Sequence, residues 1–222
     1  MPLIFLVGPR ACGKTTVGRA LARRLGLPFA DTDHYLHSRT GSTVAQIVAA
    51  EGWPGFRRRE SEALRQLAAQ HQSAGAVIAT GGGMVLDAQN RAFMREQGRV
   101  LYLSASAEAL AARLAGNPLA SQRPSLTGTA IIDEVAQILQ ERLPLYEQTA
   151  HHSLDAALSP GRICTLAAAL LRGPDGPCKP GEPDGSEQYG TDPSGRQAAL
   201  AAPKTGNKAG SGPAAGGDAA SE

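Results

Sequence analysis

The residues best suited to chemistry open the chain. Gly8-Pro9-Arg10-Ala11-Cys12-Gly13-Lys14-Thr15 fits the pattern G-x-x-x-x-G-K-[ST], the P-loop. In that pattern the glycines let backbone N–H groups turn inward around phosphate oxygens. The lysine reaches the β- and γ-phosphates, and the last hydroxyl takes a place on Mg²⁺. Lys14 is the only lysine in residues 1–172, against 17 arginines. A composition that otherwise avoids lysine keeps one where a compact ammonium would meet phosphate.

Asp31-Thr32-Asp33 closes the apolar stretch Pro28-Phe29-Ala30. Ligands of open α/β sheets bind beyond the carboxyl ends of the strands, so both carboxylates are expected at the site. One would support Mg²⁺ through water while the other accepts a proton from a substrate hydroxyl. The alternative is that Asp33 only caps the helix that follows. In Phe56-Arg57-Arg58-Arg59-Glu60, one arginine held by Glu60 would form a bidentate clamp for a carboxylate. Consecutive residues point in different directions on a helix, so the others would be solvated. Gly81-Gly82-Gly83 either offers bare backbone N–H groups to a ligand or is a plain turn.

Arg123 lies in a Pro/Ser-containing loop, Asn117 to Gly128. An arginine on a loop above a P-loop suggests a lid that excludes water and supplies charge to a transition state. Arg142 precedes Leu143-Pro144-Leu145-Tyr146; read alone, either arginine is more readily a solvent contact. Trp53 and Phe56 either wall a pocket or pack a core. Cys12 reads as a small residue, and His151-His152 have no partners at metal-ligand spacing.

These groups need a scaffold, and the apolar pattern supplies one. Leu3–Val7, Pro28–Asp31, Ala76–Thr80, Arg99–Leu103 and Ser153–Ala157 read as strands, the first fully apolar as in a sheet buried on both faces. Helices are expected at Thr16–Leu25, ending at Gly26, at Ala45–Ala50 and Glu60–His71 around the break Gly52-Trp53-Pro54-Gly55, and at Ala88–Gln97, Ala107–Leu114, Ile131–Glu147 and Arg162–Leu171. Strand and helix alternate, which argues for an α/β fold with a parallel sheet covered on both faces.

Composition sets the limits. Residues 173–222 hold 11 Gly and 7 Pro, with Tyr189 and Leu200 as their large apolar or aromatic side chains. That stretch is expected to be a disordered tail, leaving residues 1–172 as the domain. The domain carries 18 basic and 13 acidic residues, a mild excess that suits a small anionic ligand and no nucleic-acid partner. Three widely spaced cysteines, Cys12, Cys164 and Cys178, support neither a disulfide framework nor a zinc site. No signal peptide or membrane span is expected, and a reducing, cytoplasmic setting is.

Taken together, Gly8 to Thr16, Asp31-Thr32-Asp33, Gly55-Phe56-Arg57, Ala79-Thr80-Gly81-Gly82-Gly83, Arg123-Pro124 and Glu141-Arg142 with Leu145-Tyr146 resemble, in order and spacing, the motifs of shikimate kinase over residues 2 to about 171. The resemblance implies a P-loop three-layer α/β/α fold with a five-stranded parallel sheet, a substrate-binding helical region and a mobile lid at about 115–128. It implies phosphoryl transfer from ATP to the 3-hydroxyl of shikimate, with one Mg²⁺, by a monomer. It implies further that Gly8, Gly13, Lys14 and Thr16 bind phosphate, and that Thr15 ligates Mg²⁺ while Asp31 supports it. Asp33 would be the base and would hold the shikimate hydroxyls. Arg57, Gly81, Gly82, Gly83 and Arg142 would bind shikimate, with Glu60 orienting Arg57. Arg123 would be the lid arginine, and Arg113 and Pro160 would flank adenine. Two other classes share part of this pattern: a gluconate kinase, and a nucleotide-binding regulatory module without turnover.

Overall fold

The computed structural model describes residues 3–116 and 131–172. Five strands, β1 (Leu3–Val7), β2 (Phe29–Asp31), β3 (Ala76–Ala79), β4 (Gly98–Ser104) and β5 (His152–Asp155), form one parallel sheet in the order β2-β3-β1-β4-β5. The helices are α1 (Lys14–Leu25), α2 (Thr32–Thr40), α3 (Val44–His71), α4 (Ala88–Gln97), α5 (Ala107–Ala115), α6 (Ile131–Thr149) and α7 (Pro160–Arg172), with a 3₁₀ turn at Met84–Leu86. The expected three-layer α/β/α class is what forms.

The strand β1 shows why. Its five residues are all buried because alternate side chains enter opposite layers. Ile4 and Leu6 pack with Val17 and Leu21 of α1, Leu110 of α5 and Ile163 of α7. Leu3, Phe5 and Val7 pack with Leu64 and Leu67 of α3, Met94 of α4 and Tyr146 of α6. Full burial of such a side chain contributes about 1.5–3 kcal/mol, and β1 contributes on both faces. A smaller cluster, Leu36, Ile47, Phe56 and Ala63, joins α2 to α3, the helical region beside the sheet.

Connections leave β1 toward β2 and leave β3 toward β4, so the direction of winding reverses between the neighbours β1 and β3. A ligand crevice belongs at that reversal, beyond the carboxyl ends. Thr80 holds its two sides together, donating from both its backbone N–H (3.1 Å) and its hydroxyl (3.0 Å) to Leu6 O.

One boundary needs correction. The expected break between two helical segments is present but is a single residue: only Gly52 leaves helical geometry (φ 69, ψ 176), and the second segment of α3 starts directly after it, so Trp53 to Arg59 are helical. Pro54 then stands in the first turn of the resumed helix, where a missing N–H costs nothing. The helix α2 buries only Thr32 and Leu36, too few to form the apolar stripe by which a sequence announces a helix. The expected lid, with Arg123, lies outside the described residues except at its first two positions. Residues 173–222 also lie outside them.

Candidate active site

The loop from Gly8 to Gly13 leaves β1 and feeds α1. Gly8 takes φ 147, and a Cβ there would meet Leu103 O at 2.7 Å and Cys12 Sγ at 2.9 Å. Gly13 takes φ 97 and is the N-cap of α1 without a side-chain cap, so the first N–H groups of α1 face the loop, as an anion site requires. Ala11 has φ 64, the one positive φ at a non-glycine position among the described residues, a conformation costing about 1–2 kcal/mol for a residue with a Cβ. Lys14 folds back across the loop, donating from Nζ to Gly8 O (2.8 Å) and Pro9 O (2.7 Å). Thr16 follows on the exposed side of the first turn.

Across the crevice, Asp31 ends β2 and caps α2. Its Oδ1 accepts from the N–H groups of Asp33 (3.0 Å) and His34 (3.3 Å), and its Oδ2 accepts from Thr15 Oγ1 at 2.8 Å. Capping therefore falls to Asp31. Asp33, in the first turn, faces the glycine run: a Cβ on Gly81 would stand 3.3 Å from Asp33 Oδ1 and overlap the Glu60 carboxylate. Thr15, Asp31 and Asp33 line one depression together with Arg19 and His34.

The glycine run is the spine of the site. Gly81 packs against Asp33 and Glu60. Gly82 lies against the P-loop, where an added Cβ would stand 3.4 Å from Arg10 N and 3.5 Å from Gly8 O. A Cβ on Gly83 would fall on the Arg57 guanidinium. A side chain is thus excluded at Gly81 and Gly83 by two different parts of the site, while at Gly82 the backbone runs in close contact with a third. The Gly81 N–H is taken by Thr32 Oγ1 (3.0 Å), a fully buried residue.

The three arginines separate clearly. Arg57 is paired with Glu60, and its guanidinium lies 5.4 Å from the ring centroids of both Trp53 and Phe56. Those rings meet edge to face at 5.9 Å; Phe56 is buried and Trp53 half-buried. Arg59 turns away to Glu51, with Nε to Oε2 at 2.9 Å and an Nη to Oε1 at 2.6 Å. Arg58 is exposed. Only Arg57 reaches the glycines.

From the far side, Arg142 on α6 donates to Gly82 O at 3.4 Å, and its Nε is buried with no acceptor among the described residues. Tyr146, one turn later, donates to the same carbonyl at 2.6 Å and stacks on Tyr102 with centroids 5.1 Å apart. Burial lifts the Tyr102 hydroxyl to about 12 and pushes Tyr146 further above the ordinary phenol range, so both stay protonated. The contact between Tyr146 and Gly82 was not legible in the sequence, because no local pattern links residues 64 positions apart. Arg113 donates to Ala156 O (2.7 Å) and Ala11 O (3.4 Å), at the mouth of the P-loop. Pro160 is the first residue of α7 and is exposed.

The described groups therefore converge: a phosphate loop with a lysine, a hydroxyl–carboxylate pair suited to a cation, a second carboxylate, and two arginines around a glycine run. Comparison with known proteins gives the family. The family model for shikimate kinase matches residues 10–171. The chain belongs to the shikimate kinase family. A shikimate kinase 2 from Syntrophotalea carbinolica is 55% identical over 169 residues, covering 76% of this chain and 96% of its own. One from Dickeya chrysanthemi is 55% identical over 168 residues, covering 75% and 95%. Among solved structures, the shikimate kinase from Acinetobacter baumannii in complex with shikimate has a TM-score of 0.67 at 38% identity, covering 78% of this chain and 92% of that one. As a shikimate kinase, the chain is an ATP-dependent phosphotransferase. Among the described residues no helix is long and apolar enough to cross a membrane.

Proposed function

We propose that the chain transfers the γ-phosphoryl group of ATP to the 3-hydroxyl of shikimate, using the residues gathered around the crevice between β1 and β3. The carrying observation is that the glycine run touches the P-loop, Asp33 and Arg57 at once. A phosphate site, a base and a carboxylate clamp then share one backbone segment.

Gly8, Gly13, Lys14 and Thr16 bind the ATP phosphates, Lys14 Nζ moving from the loop carbonyls to phosphate oxygens. Thr15 and Asp31 fit a hard cation that keeps most of its waters, and would hold Mg²⁺. Among the described residues no group of three or more His, Cys, Asp or Glu side chains could hold a metal, and a phosphate-bound Mg²⁺ requires none. That ion would neutralise charge on the β- and γ-phosphates. Arg57, fixed by Glu60, and Arg142 take the shikimate carboxylate, with Gly81, Gly82 and Gly83 as the floor. Asp33 accepts the proton of the 3-hydroxyl as its oxygen attacks the γ-phosphorus, and ADP leaves. Positioning and charge neutralisation supply the rate, since phosphoryl transfer asks little covalent chemistry of the protein. Arg113 and Pro160 flank adenine, and Arg123 comes from the lid. Residues 1–172 form the kinase domain, a reading supported by a family match that ends at residue 171. On the family's pattern it works as a cytoplasmic monomer.

ADP release with Mg-ATP, compared for shikimate, gluconate and no acceptor, tests the reading. Turnover with shikimate alone is expected, and Lys14→Ala should lower kcat by on the order of 10²–10³ or more while the far-UV dichroism is unchanged. Nucleotide binding without turnover on any acceptor would overturn it.

A further inference from the structure

One buried polar side chain behind the site joins two parts of it. Asn90, in the first turn of α4, is 2% exposed. Its Nδ2 donates to Ser61 Oγ at 2.8 Å, with Met84 Sδ at 3.3 Å and Met84 O at 3.5 Å. Its Oδ1 accepts from an Arg65 Nη at 3.2 Å. A guanidinium only donates, which fixes the amide's orientation.

The partners lead to the site in both directions. Ser61 Oγ passes its own proton to Arg57 O at 3.0 Å, so Asn90 reaches the turn of α3 that carries the clamp. Met84 follows Gly83 directly, and its N–H donates to Gly81 O at 3.1 Å, so Asn90 also reaches the turn that closes the glycine run. The two turns touch on the site side, where the Arg57 guanidinium fills the space a Cβ of Gly83 would need. None of the hydrogen bonds of Asn90 involves residues 8–16. Packing alone would ask for an apolar residue here, since an amide taken out of water is costly unless its bonds are made. The bonds Asn90 makes run to the two turns that carry Arg57 and the glycines.

We propose that Asn90 is a positioning residue that sets the gap between Arg57 and the glycines and so tunes binding of the acceptor's carboxylate, without touching either substrate. The inference rests on the assignment of Arg57 and the glycine run to shikimate.

The test measures KM separately for shikimate and ATP in the full chain, unaltered and as Asn90→Ala, Ser61→Ala and the double variant. Asn90→Ala is expected to raise the shikimate KM by about tenfold and to move the ATP KM by less than about twofold. Ser61→Ala should raise the shikimate KM by about threefold, and the double variant by less than the product of the two, because both act through one bond. Should Asn90→Ala not fold, Ser61→Ala decides alone. A lower Tm with both KM values unchanged, or an equal rise in both, would overturn the inference while leaving shikimate as the substrate. An unaltered chain inactive on shikimate would overturn both.

Discussion

Thr15 and Asp31 meet at 2.8 Å, hydroxyl to carboxylate, while the other oxygen of Asp31 caps α2. One side chain thus anchors the helix beside the substrate region and faces the end of the P-loop.

The two duties of Asp31 should separate by substitution. Asn caps a helix about as well as Asp, so Asp31→Asn should keep its Tm but need more Mg²⁺ for half-maximal activity. Asp31→Ala should lose the cap as well, about 1 kcal/mol, or roughly 2–4 °C in Tm for a domain of this size. Paired thermal melts and Mg²⁺ titrations check this. Equal Mg²⁺ requirements for both variants and the unaltered chain would count against a cation at this pair.

Gly83→Ala places a methyl group on the Arg57 guanidinium. The expected result is a rise of about tenfold or more in shikimate KM with the ATP KM within about twofold. Arg142→Ala should show the same split. Equal loss of both affinities in Arg142→Ala would place that arginine elsewhere.

Two stacked tyrosines give an alkaline signature. Burial raises the Tyr102 hydroxyl to about 12 and Tyr146 further, above the value of about 10 in the unfolded chain. The folded state therefore holds these protons after the unfolded state has released them, and stability falls as pH rises. The contribution is complete below pH ~10 and is lost progressively from there toward the folded-state values. Tm measured between pH ~8 and ~11.5, on both sides of the unfolded-state value of about 10, should bend downward above ~10, and less steeply in Tyr102→Phe. An identical slope in that variant would contradict the assignment.

A chain ending at Arg172 should keep kcat, both KM values and Tm within error, since the family match stops at residue 171. A large loss in any of them would assign residues 173–222 a part in folding or catalysis.

What the sequence made legible followed from short-range pattern. The apolar run Leu3–Val7 with Gly8 to Thr15 specified a buried strand, a loop and a helix, because burial on two faces and phosphate geometry each demand those residue types. Local pattern alone does not tell the three consecutive arginines apart, and only the family resemblance singles out Arg57, since the choice depends on where α3 resumes after the kink at Gly52. Asp31, not Asp33, caps because α2 begins one residue after the strand ends; that boundary carries no signal of its own. The roles of Tyr146 and Asn90 depend on partners 64 and 29 residues away, brought near only by the sheet order.

That order also constrains how the chain is made. The middle strand of the sheet, β1, is synthesised first, yet its neighbours begin at Ala76 and Gly98. At about 5–20 residues per second, the growing chain carries five unpaired apolar residues for several seconds outside the ribosome. Such a segment is a natural chaperone target and an aggregation risk. The surroundings of the nucleotide loop form late as well: Leu103 O lies beside Gly8, and Thr80 donates to Leu6 O at the end of β1. ATP can stabilise this enzyme only after most of the domain has been translated.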